Sequence, residues 1–177
     1  MKTTIRIAIA LGCLLPLLIS AQQKPPAGPK PEAVVQEWFQ RWNALDGSPA
    51  SVQKFVELYQ PNAIHETGPN AKQIGPVFFE AADGIRKMAD DFGKANTELA
   101  YRFETVTANE RSQQLFYVAD GPWGGPAVGV QFVGAYTVRE SKKRFMFPGA
   151  AFFHIKDGKI IYARFYTSRD QLAEVRP

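Results

Sequence analysis

The stretch "FFHIKDGKIIYARFY", residues 152 to 166, has the pattern of two β-strands joined by a tight turn. Asp157-Gly158 is a two-residue turn signal, and it lies between two runs rich in aromatic and β-branched residues. Pairing outward from this turn sets Ile155 opposite Ile160. The sequence therefore predicts an antiparallel β-hairpin near the end of the chain.

Alternation along this hairpin assigns each side chain to a face of the sheet. Successive side chains of a strand point to opposite faces, and the same pairing sets Ala151 opposite Arg164. One face is predicted to hold Ala151, Phe153, Ile155, Ile160, Tyr162, Arg164 and Tyr166, and the other Phe152, His154, Ile161, Ala163 and Phe165. Both faces are apolar, so both are expected to be covered, and helices can cover only one of them.

Three helical segments precede the strands. Residues 31 to 45 carry tryptophan and other apolar residues at helical spacing. Ser48-Pro49 offers an N-cap and a first-turn proline for a second helix, which is predicted to include Tyr59 and to stop at Pro61. Asp83 is predicted to cap a third helix.

Strand-like runs fill the rest of the chain after Lys94. They are residues 98–107, 112–120, 127–139, 144–156 and 159–167. Pro148-Gly149 interrupts the fourth run and predicts a bulge or bend there. Helices followed by antiparallel strands predict an α+β domain, in which the N-terminal helices pack on one face of a curved antiparallel sheet.

The first 21 residues have the features of a secretory signal peptide. Lys2 and Arg6 precede an apolar run over residues 7–19, and Ile19-Ser20-Ala21 fits a cleavage site. The run is shorter than the ~20 residues that a membrane-spanning helix needs. We therefore expect a secreted or periplasmic protein with no stable membrane span after cleavage. Lipidation of Cys13 is a rival prediction, which the apolar run disfavours because it continues past that cysteine.

Cleavage changes the composition of the chain. It removes 21 of the 177 residues and leaves 156, which suits one domain. Loss of Lys2 and Arg6 leaves 19 basic residues against 17 acidic ones, so the net charge is +2 and no nucleic-acid partner is expected. Cys13 is the only cysteine, so the mature domain has no disulfide. The predicted divisions are a signal peptide at 1–21, a proline-rich linker at 22–31, one domain at 32–172 and a tail at 173–177.

Four features, in this order, resemble the SnoaL-like group of the nuclear transport factor 2-like superfamily. They are a tryptophan-rich first helix, "ELYQPNAIHE" at 57–66, a third helix opening at "ADGI" at 82–85, and the closing hairpin. The resemblance covers about residues 32 to 172. It implies a cone-shaped fold with a pocket inside a strongly bent sheet, and a homodimer in which a second subunit covers the outer face. Members include steroid isomerases, polyketide cyclases, epoxide hydrolases and proteins that only bind, so this fold does not define a function.

The steroid isomerases of this superfamily are similar enough for a comparison by position. They use a tyrosine late in the first helix as an oxyanion donor, an acidic base at the end of the first strand, and a protonated carboxylic acid on the penultimate strand. The matching residues here are Trp42, Thr67 and Ala151. None of the three can perform the corresponding task, so steroid isomerase activity is not expected.

The stretch "NAIHETGP", residues 62 to 69, holds the candidate catalytic residues. Alternation from Thr67 places His65 toward the pocket, where it is either a general acid or base, or a histidine hydrogen-bonded to the backbone at the rim. Glu66 is either a base, if the alignment slips by one residue, or a solvated carboxylate at the rim. His154 is predicted on the opposite face, at a subunit contact.

Arg164 is the most informative of the predicted ligand-binding residues. An arginine among aromatic residues must be paired or reach solvent. It either holds a carboxylate such as Glu66, or binds an anionic ligand through two parallel hydrogen bonds. The other predicted ligand-binding residues are Trp42, Tyr59, Thr67, Phe153, Tyr162 and Tyr166.

The sequence leaves two functions open. The first is an exported protein that binds a small, largely apolar ligand, and an anionic one if Arg164 points into the pocket. The second is a cofactor-independent isomerase, cyclase or hydrolase that uses His65 with Glu66 or Arg164. Zinc-ligand spacing, a phosphate loop, a dinucleotide fingerprint and a serine elbow are absent from the sequence, so no metal or cofactor is expected. The Gly/Pro-rich loop at 121–126 is predicted to be a lid, a subunit contact or an exposed loop.

Overall fold

The structure is a computed structural model, and it describes residues 28–68, 76–103, 105–106, 113–114, 116–121, 125–167 and 173–174. The predicted signal peptide and the centre of the Gly/Pro-rich loop, at 122–124, lie outside these residues. Among the residues described, no helix is both long enough and apolar enough to cross a membrane.

Three helices supply the apolar surface that packs against the sheet. They are α1 (Pro31–Asn43), α2 (Pro49–Val56) and α3 (Ala81–Ala95). The buried residues of α1 recur at the predicted helical spacing and include Trp38 and Trp42. Ser48 caps α2 as predicted, because its hydroxyl oxygen accepts a hydrogen bond from the Ser51 N–H at 3.2 Å.

The described strands form a large mixed sheet and a separate two-stranded sheet. In chain order the strands are β1 (Tyr59–Thr67), β2 (Val77–Glu80), β3 (Asn96–Thr97), β4 (Arg102–Phe103), β5 (Thr105–Val106), β6 (Gln113–Gln114), β7 (Phe116–Gly121), β8 (Gly125–Val138), β9 (Arg144–Lys156), β10 (Lys159–Thr167) and β11 (Ala173–Glu174). The main sheet runs β2-β1-β10-β9-β8-β3, while β4 and β7 also pair with β8, and β11 pairs with β9. β1 and β10 run parallel, so the sheet is mixed where a purely antiparallel one was predicted. The α+β class is confirmed.

The ends of two helices differ from the prediction. α2 ends at Val56, and Tyr59 begins β1 instead of lying on the helix. Pro61 therefore lies inside β1, where the register with β10 is interrupted and its missing N–H removes no ladder bond. Glu80 occupies the N-cap position of α3 without a capping hydrogen bond from its side chain. Asp83 therefore lies in the first turn, where its carboxylate interacts favourably with the helix dipole.

A β-bulge in β10 changes which residues share a face. The turn at Asp157-Gly158 and the pair Ile155–Ile160 are as predicted, but the register then shifts across Ile161. Beyond the bulge, Arg164 lies opposite Phe152 rather than opposite Ala151. One extra residue turns every later side chain to the other face, so the predicted register is wrong from Ile161 onward.

Two glycines accept phenylalanine rings from the opposite strand. In the β8–β9 ladder, Phe132 faces Gly149 and Phe147 faces Gly134. A Cβ at Gly149 would lie 2.5 Å from the Phe132 ring, and one at Gly134 would lie 2.6 Å from the Phe147 ring. The β8–β9 pairing is continuous through this region, so the bulge predicted at Pro148-Gly149 is wrong. The glycine marks a close approach of a ring to the backbone.

The core lies between α1, α2 and the inner face of the sheet. Trp38 is 1 % exposed and packs against Phe55, Phe153 and Phe165, with ring centroids 5.5, 5.6 and 4.7 Å away. Tilted and edge-on aromatic pairs of this kind stabilise a core beyond the area that they bury. Trp38 and Phe165 also line the site described next, while Phe55 and Phe153 are not among its lining residues.

Candidate functional site

A cavity of about 480 Å³ opens between α1, α3 and the inner face of the sheet. The helices contribute Trp38, Trp42, Met88, Asp91, Phe92 and Ala95. The strands contribute, besides His65, chiefly Thr67, Phe79, Tyr136, Phe147, Phe165 and Thr167. Its volume suits a small organic molecule, and its lining is mainly aromatic, as is usual for such pockets.

His65 lies on the wall of this cavity, on the face that strand alternation predicts. It pairs with Ala163 in the parallel β1–β10 ladder, and both side chains point inward. The imidazole stacks on the Phe165 ring with centroids 4.9 Å apart, and the side chain is 3 % exposed. His65 is therefore held among aromatic rings while it still borders the cavity.

A buried hydrogen-bond chain runs from Trp38 through Tyr59 to His65. Trp38 Nε1–H donates to Tyr59 Oη at 2.6 Å, and Tyr59 Oη lies 2.9 Å from His65 Nδ1. An indole N–H can only donate, so the hydroxyl proton of Tyr59 is left to bond His65 Nδ1. The opposite histidine tautomer would bury the Tyr59 O–H without an acceptor. Hydrogen-bond satisfaction therefore assigns the His65 proton to Nε2.

Burial keeps both polar members of this chain neutral. Desolvation lowers the pKa of His65 to about 3, because the imidazolium form is disfavoured away from water. Burial also raises the pKa of Tyr59, against the opposing effect of the hydrogen bond from Trp38. At neutral pH His65 is thus a hydrogen-bond donor through Nε2–H and a poor base.

Glu66 points to the opposite, outer face of the sheet. It is 3 % exposed, and its Oε1 lies 3.0 Å from Arg164 Nε, although the N–H is not aligned for a hydrogen bond to this oxygen. The Tyr162 hydroxyl donates to the other carboxylate oxygen, Oε2. Glu66 is therefore a buried, paired carboxylate rather than a base in the cavity or a solvated rim residue. Of the two roles predicted for Arg164, pairing with a carboxylate and binding an anionic ligand, the structure shows the first, with Glu66 as the partner.

Aromatic residues surround this ion pair on the outer face. The Arg164 guanidinium lies 4.9 Å from the centre of the Tyr166 ring, a cation–π contact. His154 packs against Tyr162 with ring centroids 5.6 Å apart, and burial lowers the pKa of His154. Desolvation, reinforced by Glu66, raises the pKa of Tyr162 to about 12. This face also exposes the side chains of Phe78, Phe152 and Tyr166.

The structure separates the predicted site residues into three groups. Those that line the cavity are Trp42, His65 and Thr67. Two are buried behind the cavity wall, namely Tyr59 and Phe153. The bulge in β10 places the rest on the outer face, and they are Tyr162, Arg164 and Tyr166. Glu66 lies on the outer face because it follows His65 in β1.

Helix α3 contributes to the cavity wall, and none of its residues was predicted to bind a ligand. Met88, Asp91, Phe92 and Ala95 all line it. Their separations of three and four residues define one face of a helix, and that signal was present in the sequence. Asp91 is the only carboxylate among the described lining residues, and Lys87 Nζ lies 2.6 Å from its Oδ2.

Two further properties bear on what the cavity could hold. Trp42 Nε1 is buried and has no hydrogen-bond acceptor among the residues described. Within the same residues, no group of three or more His, Cys, Asp or Glu side chains is arranged to hold a metal ion.

Comparisons with known proteins agree with this architecture. A family model described as a SnoaL-like domain matches residues 35–163. No curated protein matches the chain by sequence.

Several solved structures are similar in fold. The epoxide hydrolase/cyclase-like enzyme SalBIII, described for pyran ring formation in the polyether salinomycin, is 18 % identical, with a TM-score of 0.58 over 81 % of this chain and 95 % of its own. RV0760c from Mycobacterium tuberculosis, in complex with estradiol-17β-hemisuccinate, is 12 % identical, with a TM-score of 0.61 over 80 % and 96 %. An NTF2-like protein of unknown function from Exiguobacterium sp. 255-15 is 11 % identical, with a TM-score of 0.55 over 77 % and 98 %. At these identities the likeness is one of fold.

Proposed function

The chain belongs to the SnoaL-like domain family, and from that premise we propose that it is an exported protein that binds a small, largely apolar molecule in the cavity of its cone. One observation carries the proposal. The cavity of about 480 Å³ has a mainly aromatic wall, into which β1 places a single neutral imidazole donor, His65. Pockets of this composition bind through apolar contact and orient the ligand with a few polar groups.

The charges around the cavity favour an uncharged ligand. Arg164, the predicted anion-binding residue, lies on the outer face and pairs with Glu66. The described lining residues include no lysine or arginine, and the carboxylate of Asp91 is already paired with Lys87 outside the lining. A carboxylate ligand would therefore lose its hydration without gaining a cationic partner, which is unfavourable.

A solved neighbour supports the size and the apolar body of the ligand but not the absence of charge, since a hemisuccinate carries a carboxylate. RV0760c is in complex with estradiol-17β-hemisuccinate, a molecule whose body is a large apolar ring system. The shared fold supports the use of the same internal space in this protein.

The test is to block the cavity and follow a bound ligand. The mature chain, from Gln22, is purified from a host that exports it, and the small molecules that it retains are identified by native mass spectrometry. We expect an apolar compound in the native protein and its loss in Ala95→Trp, because Ala95 lines the cavity. Ala44→Trp is the matched control, since Ala44 is exposed just after α1. Equal retention in both variants would contradict binding in this cavity.

Export and dimerisation complete the proposal. Export is supported by the signal-like pattern of residues 1–21, and an intact mass beginning at Gln22 tests it against a lipid on Cys13. A homodimer through the outer face is supported by the exposed aromatic residues Phe78, Phe152 and Tyr166. Sedimentation of the mature chain tests it, and Phe152→Lys is expected to give monomers.

A second candidate function is a cofactor-independent isomerase, cyclase or hydrolase, and the neutral N–H donor of His65 favours it. A preorganised donor of this kind stabilises negative charge that develops on a carbonyl oxygen. Glu66 and Arg164 do not support this candidate, because both lie on the outer face. Asp91 is the carboxylate on the cavity wall and is therefore the candidate base.

This second candidate is tested by hydrogen exchange at carbon. A bound ketone should exchange its α-hydrogen with D₂O in the native protein, and Asp91→Asn should abolish the exchange. Asp90→Asn is the matched control, because Asp90 pairs with Lys94 as Asp91 pairs with Lys87 but does not line the cavity. No exchange in the native protein would contradict this candidate and leave the binding function in place.

A further inference from the structure

The hydrogen-bond chain behind the cavity can run in only one direction. It begins at Trp38 Nε1, which can donate but not accept, and passes through Tyr59 Oη to His65 Nδ1. All three side chains are buried, at 1, 4 and 3 % exposure, so water does not compete for these bonds. The donor at the start of the chain therefore dictates which nitrogen carries the proton at its end.

Aromatic stacking fixes the orientation of the imidazole as well. The Phe165 ring lies 4.9 Å from His65 with an interplanar angle of 14°, and the Trp38 ring lies 6.2 Å away at 18°. A ring flip would move Nδ1 away from Tyr59 and leave a buried hydroxyl without an acceptor, which is unfavourable. The proton of His65 is therefore held on Nε2, and the direction in which this N–H points is fixed as well.

The Nε2–H of His65 is open to a ligand. His65 lines the cavity, and Nε2 makes no hydrogen bond with any residue that the structure describes. A donor in a mainly apolar wall is stabilised by an acceptor that a ligand brings. A carbonyl oxygen supplies that acceptor without a charge and without a proton that would need its own partner.

We propose that the Trp38–Tyr59–His65 chain makes His65 a fixed N–H donor, so that the cavity selects uncharged ligands that carry a carbonyl oxygen, such as ketones and esters. The inference rests on the proposed binding function and adds the chemical class of the ligand. Tyr59 is then a positioning residue, because it acts on the ligand only through His65.

Three matched probes test the selectivity of the cavity. They are 2-acetylnaphthalene, 2-ethylnaphthalene and 2-naphthoate, which share a ring system and differ in the carbonyl group and in charge. We expect 2-acetylnaphthalene to bind the mature protein about tenfold more tightly than 2-ethylnaphthalene, the effect of about one hydrogen bond. We expect 2-naphthoate to bind most weakly, since no lysine or arginine is among the described residues of the wall. Equal affinities for the first two probes would overturn the inference and leave apolar binding standing. Failure of all three to bind would overturn the binding function and this inference with it.

A pair of tyrosine variants tests the positioning role. Tyr59→Phe removes the hydroxyl that selects the His65 tautomer, whereas Tyr162→Phe removes a hydroxyl that bonds Glu66 on the outer face. We expect the tenfold preference for the ketone to fall to about threefold or less in Tyr59→Phe and to persist in Tyr162→Phe. Nitrogen-15 spectra should show a proton on Nε2 of His65 in the native protein and a mixture of tautomers in Tyr59→Phe. A native spectrum with the proton on Nδ1 would overturn the inference even if the variant failed to fold.

Discussion

His65 and Glu66 are neighbours in β1, are both 3 % exposed, and yet have opposite surroundings. His65 faces the cavity, where burial without a charged partner lowers its pKa and keeps it neutral. Glu66 faces outward and lies against Arg164 and the Tyr162 hydroxyl. The comparison shows that the partner, rather than the degree of burial, determines what a buried polar side chain can do.

The same contrast extends along the whole sheet. The inner face holds the core and part of the cavity wall, and its described polar side chains there are uncharged; the one charged side chain among the described lining residues, Asp91, comes from α3. The outer face holds an ion pair among exposed aromatic residues. Variants that exchange or remove neighbouring residues on the two faces therefore test the division directly.

The largest difference in the free energy of unfolding is expected between alanine variants of the adjacent residues Phe153 and Phe152. Phe153 is fully buried against Trp38, so Phe153→Ala should lower the free energy of unfolding by about 3–5 kcal/mol. Phe152 is 45 % exposed, so Phe152→Ala should cost less than about 1 kcal/mol in a monomer. Urea unfolding measures both. Equal losses at dilute concentration would contradict the assignment of faces in β9.

Acidification should destabilise the protein through His65. Its pKa falls from 6.5 in the unfolded chain to about 3 in the folded one, so the unfolded chain takes up the proton first as the pH falls. The contribution of neutral His65 to the free energy of unfolding is therefore fully present above pH 6.5 and is lost as the pH falls toward 3. About 2 kcal/mol of it is lost between pH 6.5 and 5. Unfolding free energies measured against pH should lose this component in His65→Gln. The component should persist in His154→Gln, although burial lowers the pKa of His154 in the same direction. An unchanged pH profile in His65→Gln would contradict the prediction.

Arg164→Met should affect stability but not ligand binding. It leaves the buried Glu66 carboxylate with the Tyr162 hydroxyl alone, which should cost about 1–2 kcal/mol. The cost is smaller than for a fully buried pair, because the Arg164 side chain is 42 % exposed. Adding Glu66→Gln should recover part of the loss, as a double-mutant cycle can measure. A tenfold loss of affinity for 2-acetylnaphthalene in Arg164→Met would instead indicate that Arg164 contacts the ligand in the cavity.

The smallest effect is expected for Asp91, although it lines the cavity. Its side chain is 61 % exposed and that of its partner Lys87 is 74 % exposed. Surface ion pairs of this kind contribute little, so Asp91→Asn should change the free energy of unfolding by less than about 0.5 kcal/mol. Asp90→Asn should behave alike in thermal unfolding. A loss above about 1 kcal/mol in Asp91→Asn alone would show that this charge stabilises the fold. A loss of hydrogen exchange in this variant could then no longer be assigned to catalysis alone.

The fold could be predicted well because its signals are local or follow a fixed period. The family, the α+β class and the bounds of β9 and β10 are confirmed. His65 and Thr67 were placed correctly on the inner face, since the strand runs without interruption between them. The parallel pairing of β1 with β10 was not predicted, because it joins residues about a hundred positions apart and has no local signature.

The candidate site was harder to predict, and one residue accounts for most of the difference. A bulge is visible in a sequence when it breaks the alternation of polar and apolar residues. Ile160, Ile161 and Tyr162 are all apolar or aromatic, so their order is compatible with either register. Arg164 was therefore assigned to the wrong face, and its pairing with Glu66 could be weighed only as an alternative.

The two phenylalanine–glycine pairs between β8 and β9 also favour one alignment of these strands over others. The smallest slip that keeps the same faces is two residues. In one direction it would bring Phe132 opposite Phe147 and crowd two rings, and in the other it would bring Gly134 opposite Gly149 and leave two gaps. The native alignment alone seats a ring on a glycine at both positions. Incorrect pairing of these strands during folding is therefore unfavourable at both positions. The two pairs specify the alignment of β8 with β9 independently of the turn that joins the strands.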